Sequence, residues 1–264
     1  LNMKYPMNEK NSLRFAFSRT VTRPSFIEMA PFLYQESYGS AQIRGNADLQ
    51  NGYNYNIDLR YELFEKNGDM LSITAYYKHL KAPIERVQTL SGGSAVHSFR
   101  NADNGMATGV EIEFRKEIVK DLRFGVNGSY MYTNVKLPEG GAYTNSQRAL
   151  QGASPYLANA DLTYSPAFSN DRQLSVALLY NLQGPRIHSV GISGLGDIKQ
   201  QPVHTLNFTG SYRFNRRFAV KLQVNDLLNQ DILFKQEVPT TGDKVEVERF
   251  RKGTGFEVGF SYDL

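Results

Sequence analysis

Apolar and polar residues alternate along almost the whole chain. In the last ten residues, GFEVGFSYDL, Phe256, Val258, Phe260, Tyr262 and Leu264 fall on one side of an extended strand and Glu257, Gly259, Ser261 and Asp263 on the other, because strand side chains alternate faces. Leu122 to Val135 repeats the pattern, with Leu122, Phe124, Val126, Tyr130 and Tyr132 against Arg123, Gly125, Asn127, Ser129 and Thr133. So do Leu13 to Thr20, Tyr55 to Leu63, Leu71 to His79, Val110 to Arg115, Tyr156 to Tyr164, Leu174 to Tyr180, Leu206 to Phe214 and Phe218 to Asn225, and Leu1, Met3 and Tyr5 read as the tail of one more strand. The pattern therefore predicts about eleven strands of roughly 9 to 13 residues, near the length a tilted strand needs to cross a bilayer. The one helical turn expected lies within Ser25 to Phe32, after Arg23-Pro24.

The connections sort by length. Pro6 to Ser12, 65 to 69, Glu117 to Asp121, Pro166 to Arg172 and Asn215 to Arg217 are short, whereas 23 to 53, 81 to 106, Lys136 to Pro155 and Gln183 to Val203 are long, and the two kinds alternate. A meander with tight turns at one end and long loops at the other is the layout of an outer-membrane barrel. Aromatic positions agree. Tyr156 and Tyr164 share a face eight residues apart, which a tilted strand converts to roughly 20 Å of membrane height, close to the ~25 Å band between aromatic girdles. Tyr130, Tyr132 and Tyr180 join the upper girdle, and Tyr61, Tyr212 and Tyr262 the lower. An odd strand count cannot close a bacterial barrel. Residues 1–264 are thus expected to form the C-terminal half of a larger barrel, with two unpaired edges.

Composition changes this picture little. The 264 residues hold 16 Tyr, 16 Phe, no Trp and no Cys, and the 30 basic and 26 acidic residues are interspersed, for a net charge of +4. The basic clusters at Arg115-Lys116 and Arg213 to Arg217 are local, so no concentrated basic face suggests nucleic acid as a partner. No apolar run has the length of a membrane helix, which leaves strand crossing open. A soluble all-β binding module, with its apolar faces packed on each other, remains the alternative from pattern alone.

The ordered segments LRFAFSRTVTRPSFIEMAPF, RGNADLQNGYNYNIDLRYEL, GVEIEFRK, LQGASPYLANADLTY, NLQGPRI and VNDLLNQ resemble the TonB-dependent outer-membrane receptors, in particular the large receptors of Bacteroidetes. The resemblance spans residues 1 to 264. It implies an all-β antiparallel meander forming the C-terminal half, about 10 to 11 strands, of a 22-stranded transmembrane barrel around a plug. It also implies residence in the bacterial outer membrane among its lipids, and uptake of a large or scarce ligand, a glycan, siderophore or peptide, driven by TonB acting through a plug region outside these residues. A surface lipoprotein is a further implied partner. FEVGFSYDL resembles the signal read by the barrel-assembly machinery, with Phe256, Val258, Phe260, Tyr262 and Leu264 as its apolar positions; such signals usually end in Phe, and Leu264 departs from that. A passive porin or a barrel enzyme without a plug is the competing function.

Candidate chemistry is sparse. Glu111 and Glu113 share a strand face about 6.6 Å apart, within reach of a paired-carboxylate hydrolase, but Arg115 continues that face and a mixed-charge lumen wall is the simpler account; Asp58, Arg60 and Glu62 form a similar ladder. His79, His97, His188 and His204 lack metal-ligand spacing. His188-Ser189 invites comparison with an outer-membrane esterase, yet no oriented acid accompanies it in the sequence. Neither a metal site nor a cofactor nor a catalytic centre is expected. Ligand contacts are expected instead from the long loops, where Tyr34, Tyr38, Arg44, Tyr143, Arg148, Arg186 and His188 offer aromatic platforms and charged donors.

Overall fold

The structure is a computed structural model that describes residues 1–35, 42–65, 67–91, 94–138, 143–168 and 171–262. In chain order its elements are β1 (Asn2–Pro6), β2 (Asn11–Thr22), α1 (Phe26–Met29), β3 (Leu33–Tyr34), β4 (Ile43–Arg44), β5 (Gly52–Phe64), β6 (Met70–Lys81), β7 (Ile84–Ser91), β8 (Ser94–Asn101), β9 (Asn104–Val119) and β10 (Leu122–Lys136). There follow β11 (Gln147–Arg148), β12 (Tyr156–Tyr164), β13 (Gln173–Gln183), β14 (Arg186–Ser189), β15 (Ile198–Gln200), β16 (Val203–Arg213), β17 (Phe218–Asn225), β18 (Ile232–Val238), β19 (Asp243–Phe250) and β20 (Gly255–Tyr262). Eleven of these form one antiparallel wall in the order β1-β2-β5-β6-β9-β10-β12-β13-β16-β17-β20, with β11 paired to the end of β10. These eleven are the strands that the alternation predicts, and β1 pairs with β2 as the short first strand should.

Register keeps each face chemically uniform. Phe17, Ile57, Tyr77, Thr108 and Tyr132 stand side by side across five strands on the outer face. At the other edge Leu178, Phe208, Val224 and Phe256 do the same. Phe256 and Phe260 are 73% and 72% exposed, and in an outer-membrane barrel such a band faces hydrocarbon. On the opposite face one row runs Ser12, Glu62, Ser72, Glu113, Asn127, Asn159, Asn181, Thr205 across eight strands. Polar groups on this face bond to one another. Glu62 accepts from Ser12 Oγ at 3.0 Å, Arg14 Nε at 2.8 Å and Arg60 Nε at 3.0 Å. Asn159 donates to Asn127 at 2.7 Å and Asn181 donates to Asn159 at 2.6 Å. The expected ladder of Glu111, Glu113 and Arg115 belongs to this wall, with Arg115 2.7 Å from Glu113.

Two differences from the sequence reading stand out. β9 extends from Asn104 to Val119, well beyond Val110 to Arg115, and the turn to β10 shrinks to Lys120 and Asp121. Asp121 takes φ 65, the left-handed conformation that a two-residue hairpin turn requires and Asp tolerates. The long links are also not plain loops. They build two four-stranded sheets, β3-β4-β8-β7 and β14-β15-β18-β19, at the end of the wall where the long connections emerge. The expected helical turn is α1, capped by Ser25, whose Oγ accepts from Glu28 N at 3.4 Å while Glu28 Oε2 accepts from Ser25 N at 2.7 Å.

Candidate functional site

The buried apolar core lies in the loop layer rather than in the wall, because the wall is one sheet thick and its outer face has no protein cover. Val87 of β7, Ala102, Val135 of β10 and Leu137 form one buried cluster, with Tyr143 and Leu150 packed on it. Ile43 of β4 and Val96 of β8 are also buried, and the parallel pairing of Ile43 with His97 ties the link after β2 to the hairpin after β6.

Above this cluster Arg148 Nη1 lies 2.9 Å from Glu85 Oε2, with both side chains almost wholly buried. Burial pushes the Glu85 carboxyl above its ordinary range, and the Arg148 charge partly pulls it back. Arg148 Nη1 also donates to Ala149 O at 3.1 Å, while its Nε and Nη2 have no hydrogen-bond partner among the described residues. A cleft of about 650 Å³ opens beside it, edged by Tyr130, Tyr132, Gln147, Arg186, Asp197 and Lys199. Arg186 is held by a 2.7 Å hydrogen bond from Nε to Gln200 Oε1. A second cleft of about 280 Å³ lies beside Arg86, Phe99, Arg186 and His188. His188 is exposed, with its ring 4.7 Å from that of Phe234, edge to face.

The seven loop residues singled out from the sequence thus take different places. Arg148, Arg186 and His188 gather around these clefts, Arg148 as a buried partner of Glu85 and the other two nearer the surface. Tyr143 packs on the buried cluster. Tyr34 and Arg44 sit on the paired strands β3 and β4, and Tyr38 lies outside the described residues. Of the five apolar positions at the chain end, Phe256, Val258, Phe260 and Tyr262 line the outer face of β20, and Leu264 lies outside the described residues. Sequence reasoning missed Glu85 and Lys199, since a single charged residue in a long loop carries no period.

The histidines do not converge. His97 is buried, receives Arg86 Nε at 2.8 Å on Nδ1 and has Ser189 Oγ 3.4 Å from Nε2. In a nucleophile-activating pair the outer nitrogen donates to a carboxylate and the inner one takes the serine proton. Here the Arg86 donor keeps Nδ1 an acceptor, which puts the imidazole proton on Nε2. The ring therefore donates toward Ser189 and cannot act as its base.

The matches to known proteins fit this architecture. The model of the outer membrane protein beta-barrel family matches residues 1–262. The ferric enterobactin receptor PfeA of Pseudomonas aeruginosa superposes with a TM-score of 0.68 at 20% identity, over 99% of this chain and 40% of that one. The siderophore receptor PirA of Acinetobacter baumannii gives 0.66 at 16% identity, over 99% and 40%. The ferric yersiniabactin uptake receptor FyuA of Yersinia pestis gives 0.65 at 14% identity, over 100% and 36%. The chain thus spans about two fifths of the length of these receptors, and no curated protein matches it. With an eleven-stranded wall, an apolar band across its outer face and a family match along nearly its whole length, the chain belongs to the outer membrane protein β-barrel family and resides in the bacterial outer membrane.

Proposed function

We propose that residues 1–264 form the C-terminal part of the barrel of a TonB-dependent, Bacteroidetes-type receptor that takes up a large or scarce ligand, and that it is not an enzyme. The observation that carries this reading is the loop layer: four of the long links fold into two sheets over a packed core and frame clefts beside Arg148, Arg186 and Lys199. An unselective porin has no need of so much ordered structure outside the membrane. Of a glycan, a peptide and a siderophore, the siderophore has the most support, since Arg186 and Lys199 edge the larger cleft and the solved proteins similar in fold include siderophore receptors. A plug, its contact with TonB, the barrel-assembly machinery and a surface lipoprotein belong to the same proposal.

The test is accumulation of radiolabelled ferric enterobactin, with a neutral dextran oligosaccharide as the second probe, by cells carrying the complete receptor, with and without TonB. Uptake of either probe that disappears without TonB supports the reading. Entry of both, unchanged without TonB, replaces it with passive diffusion.

A further inference from the structure

The outer face of the wall changes character near its long-loop end. Directly above the row of Phe17, Ile57 and Tyr77 stand Arg19, Tyr55 and His79, and above them Tyr53 and Lys81. Lys81 continues through Asn104 to Lys136 of β10. Arg19, His79, Lys81 and Lys136 are all exposed. The Arg19 guanidinium lies 4.3 Å from the Tyr53 ring centroid and 5.8 Å from that of Tyr55, held by aromatic faces rather than by an acid.

The carboxylates of these strands keep to one face. Asp58, Glu62, Glu111, Glu113 and Glu117 alternate onto the lumen side, where Arg14, Arg60 and Arg115 pair with Glu62 and Glu113. No outward position above the Phe17 row on β2, β5, β6, β9 or β10 carries a carboxylate. The cations there sit where the apolar band ends and polar headgroups begin, next to tyrosines suited to that boundary. Lys81 and Lys136 share a row two strand intervals apart and are spaced by about 10 Å, and Arg19, two residues lower on β2, is about 12 Å from Lys81, wider than one phosphate and comparable to neighbouring headgroups.

We infer that Arg19, Lys81 and Lys136, with His79, Tyr53 and Tyr55 between them, bind the phosphate groups of anionic lipid at the outer membrane surface. The guanidinium can take two phosphate oxygens at once while the lysines act as point charges. This inference rests on the outer-membrane residence of the chain and is independent of what the receptor transports.

The complete receptor, extracted from outer membranes into a nonionic detergent, would be titrated with phosphatidylglycerol, phosphatidylcholine and water-soluble glycerol phosphate, and bound molecules counted by native mass spectrometry. Phosphatidylglycerol should bind in preference to phosphatidylcholine. Each of Arg19→Ala, Lys81→Ala and Lys136→Ala should weaken it about fivefold, and the triple variant on the order of a hundredfold, with heat-modifiable gel migration unchanged. Equal binding by the triple variant or equal binding of both lipids would overturn the inference. So would competition by glycerol phosphate at the same concentration, which would make this a site for a free phosphate compound. If the triple variant does not fold, the three single variants carry the same comparison.

Discussion

Arg148 on β11 and Glu85 on β7 meet as a buried ion pair, Nη1 to Oε2 at 2.9 Å, and so join two separate long links above the apolar cluster of the loop layer. Removing one partner of a buried pair costs about 3–5 kcal/mol because the other charge stays behind, whereas replacing both with apolar groups of similar volume is often neutral. Arg148→Met alone should therefore open the loop layer to protease, and Glu85→Leu with Arg148→Met should restore protection, while the barrel keeps its heat-modifiable migration in both. The pH dependence has a definite sign. Burial raises the folded pKa of Glu85 above 4.5, so the folded layer binds this proton more tightly than the unfolded one. The resulting stability is fully present below the unfolded value and is lost as pH rises through the raised folded one. Loss of the Arg148 charge removes the counteracting pull, so loops of Arg148→Met should be better protected in acid than at neutral pH, by a wider margin than wild type. A pH-independent cleavage rate in both proteins would contradict this.

The contact between Ser189 and His97 invites a test of hydrolysis. With Arg86 donating to Nδ1, His97 offers Ser189 no acceptor nitrogen, so Ser189 should not be labelled by a fluorophosphonate probe. Background hydrolysis of nitrophenyl esters by the complete protein should be the same in Ser189→Ala. Stoichiometric labelling that disappears in Ser189→Ala would show that the hydrogen bonding rearranges into an active pair.

The eleven wall strands are legible in the sequence because each separates two unlike environments, hydrocarbon and a polar lumen, and so must alternate with period 2. Glu62 and Asn159, for example, could be placed on the lumen side from their neighbours alone. The loop layer offers no such division. Ile43, Val87 and Val96 are buried by contacts between links far apart in sequence, and β3, β4 and β11 are two residues long, too short for a period. Arg148 reads as an available donor in its own segment, and only the distant Glu85 shows it to be a buried brace. His97 likewise acquires its partners, Arg86 and Ser189, from two different links.

Two wall glycines should differ in tolerance. A methyl group at Gly109 would run into the backbone carbonyl of Tyr130 and come within 2.6 Å of Tyr76 Oη. The carbonyl is fixed in the sheet, so Gly109→Ala should cost about 1–3 kcal/mol. At Gly125 the obstacle is the carboxylate of Asp161, the far end of a side chain that can swing away, so Gly125→Ala should cost less than about 1 kcal/mol. Urea unfolding of the complete barrel in detergent micelles would separate the two by their midpoints. An equal shift would mean that Asp161 is held as firmly as the backbone.

The assignment of faces on the last strand can be tested one residue at a time. Val258 stands beside Leu222 on the outer face of β20, whereas Ser261 lies beside Ala219 on the other. A lysine deep in the hydrocarbon costs about 2–4 kcal/mol, and one on the lumen side little. Val258→Lys should therefore deplete the protein from the outer membrane and leave the remainder without heat-modifiable migration, while Ser261→Lys should assemble as wild type does. The comparison is controlled from within, since both variants add the same charge to the same strand and both alter the region that resembles the assembly signal. Equal depletion would mean that the added charge impairs recognition of that region rather than burial in lipid. Equal assembly would mean that β20 does not present Val258 to hydrocarbon, and the outer face of the whole wall would have to be reassigned through the register that links it to β17 and β16.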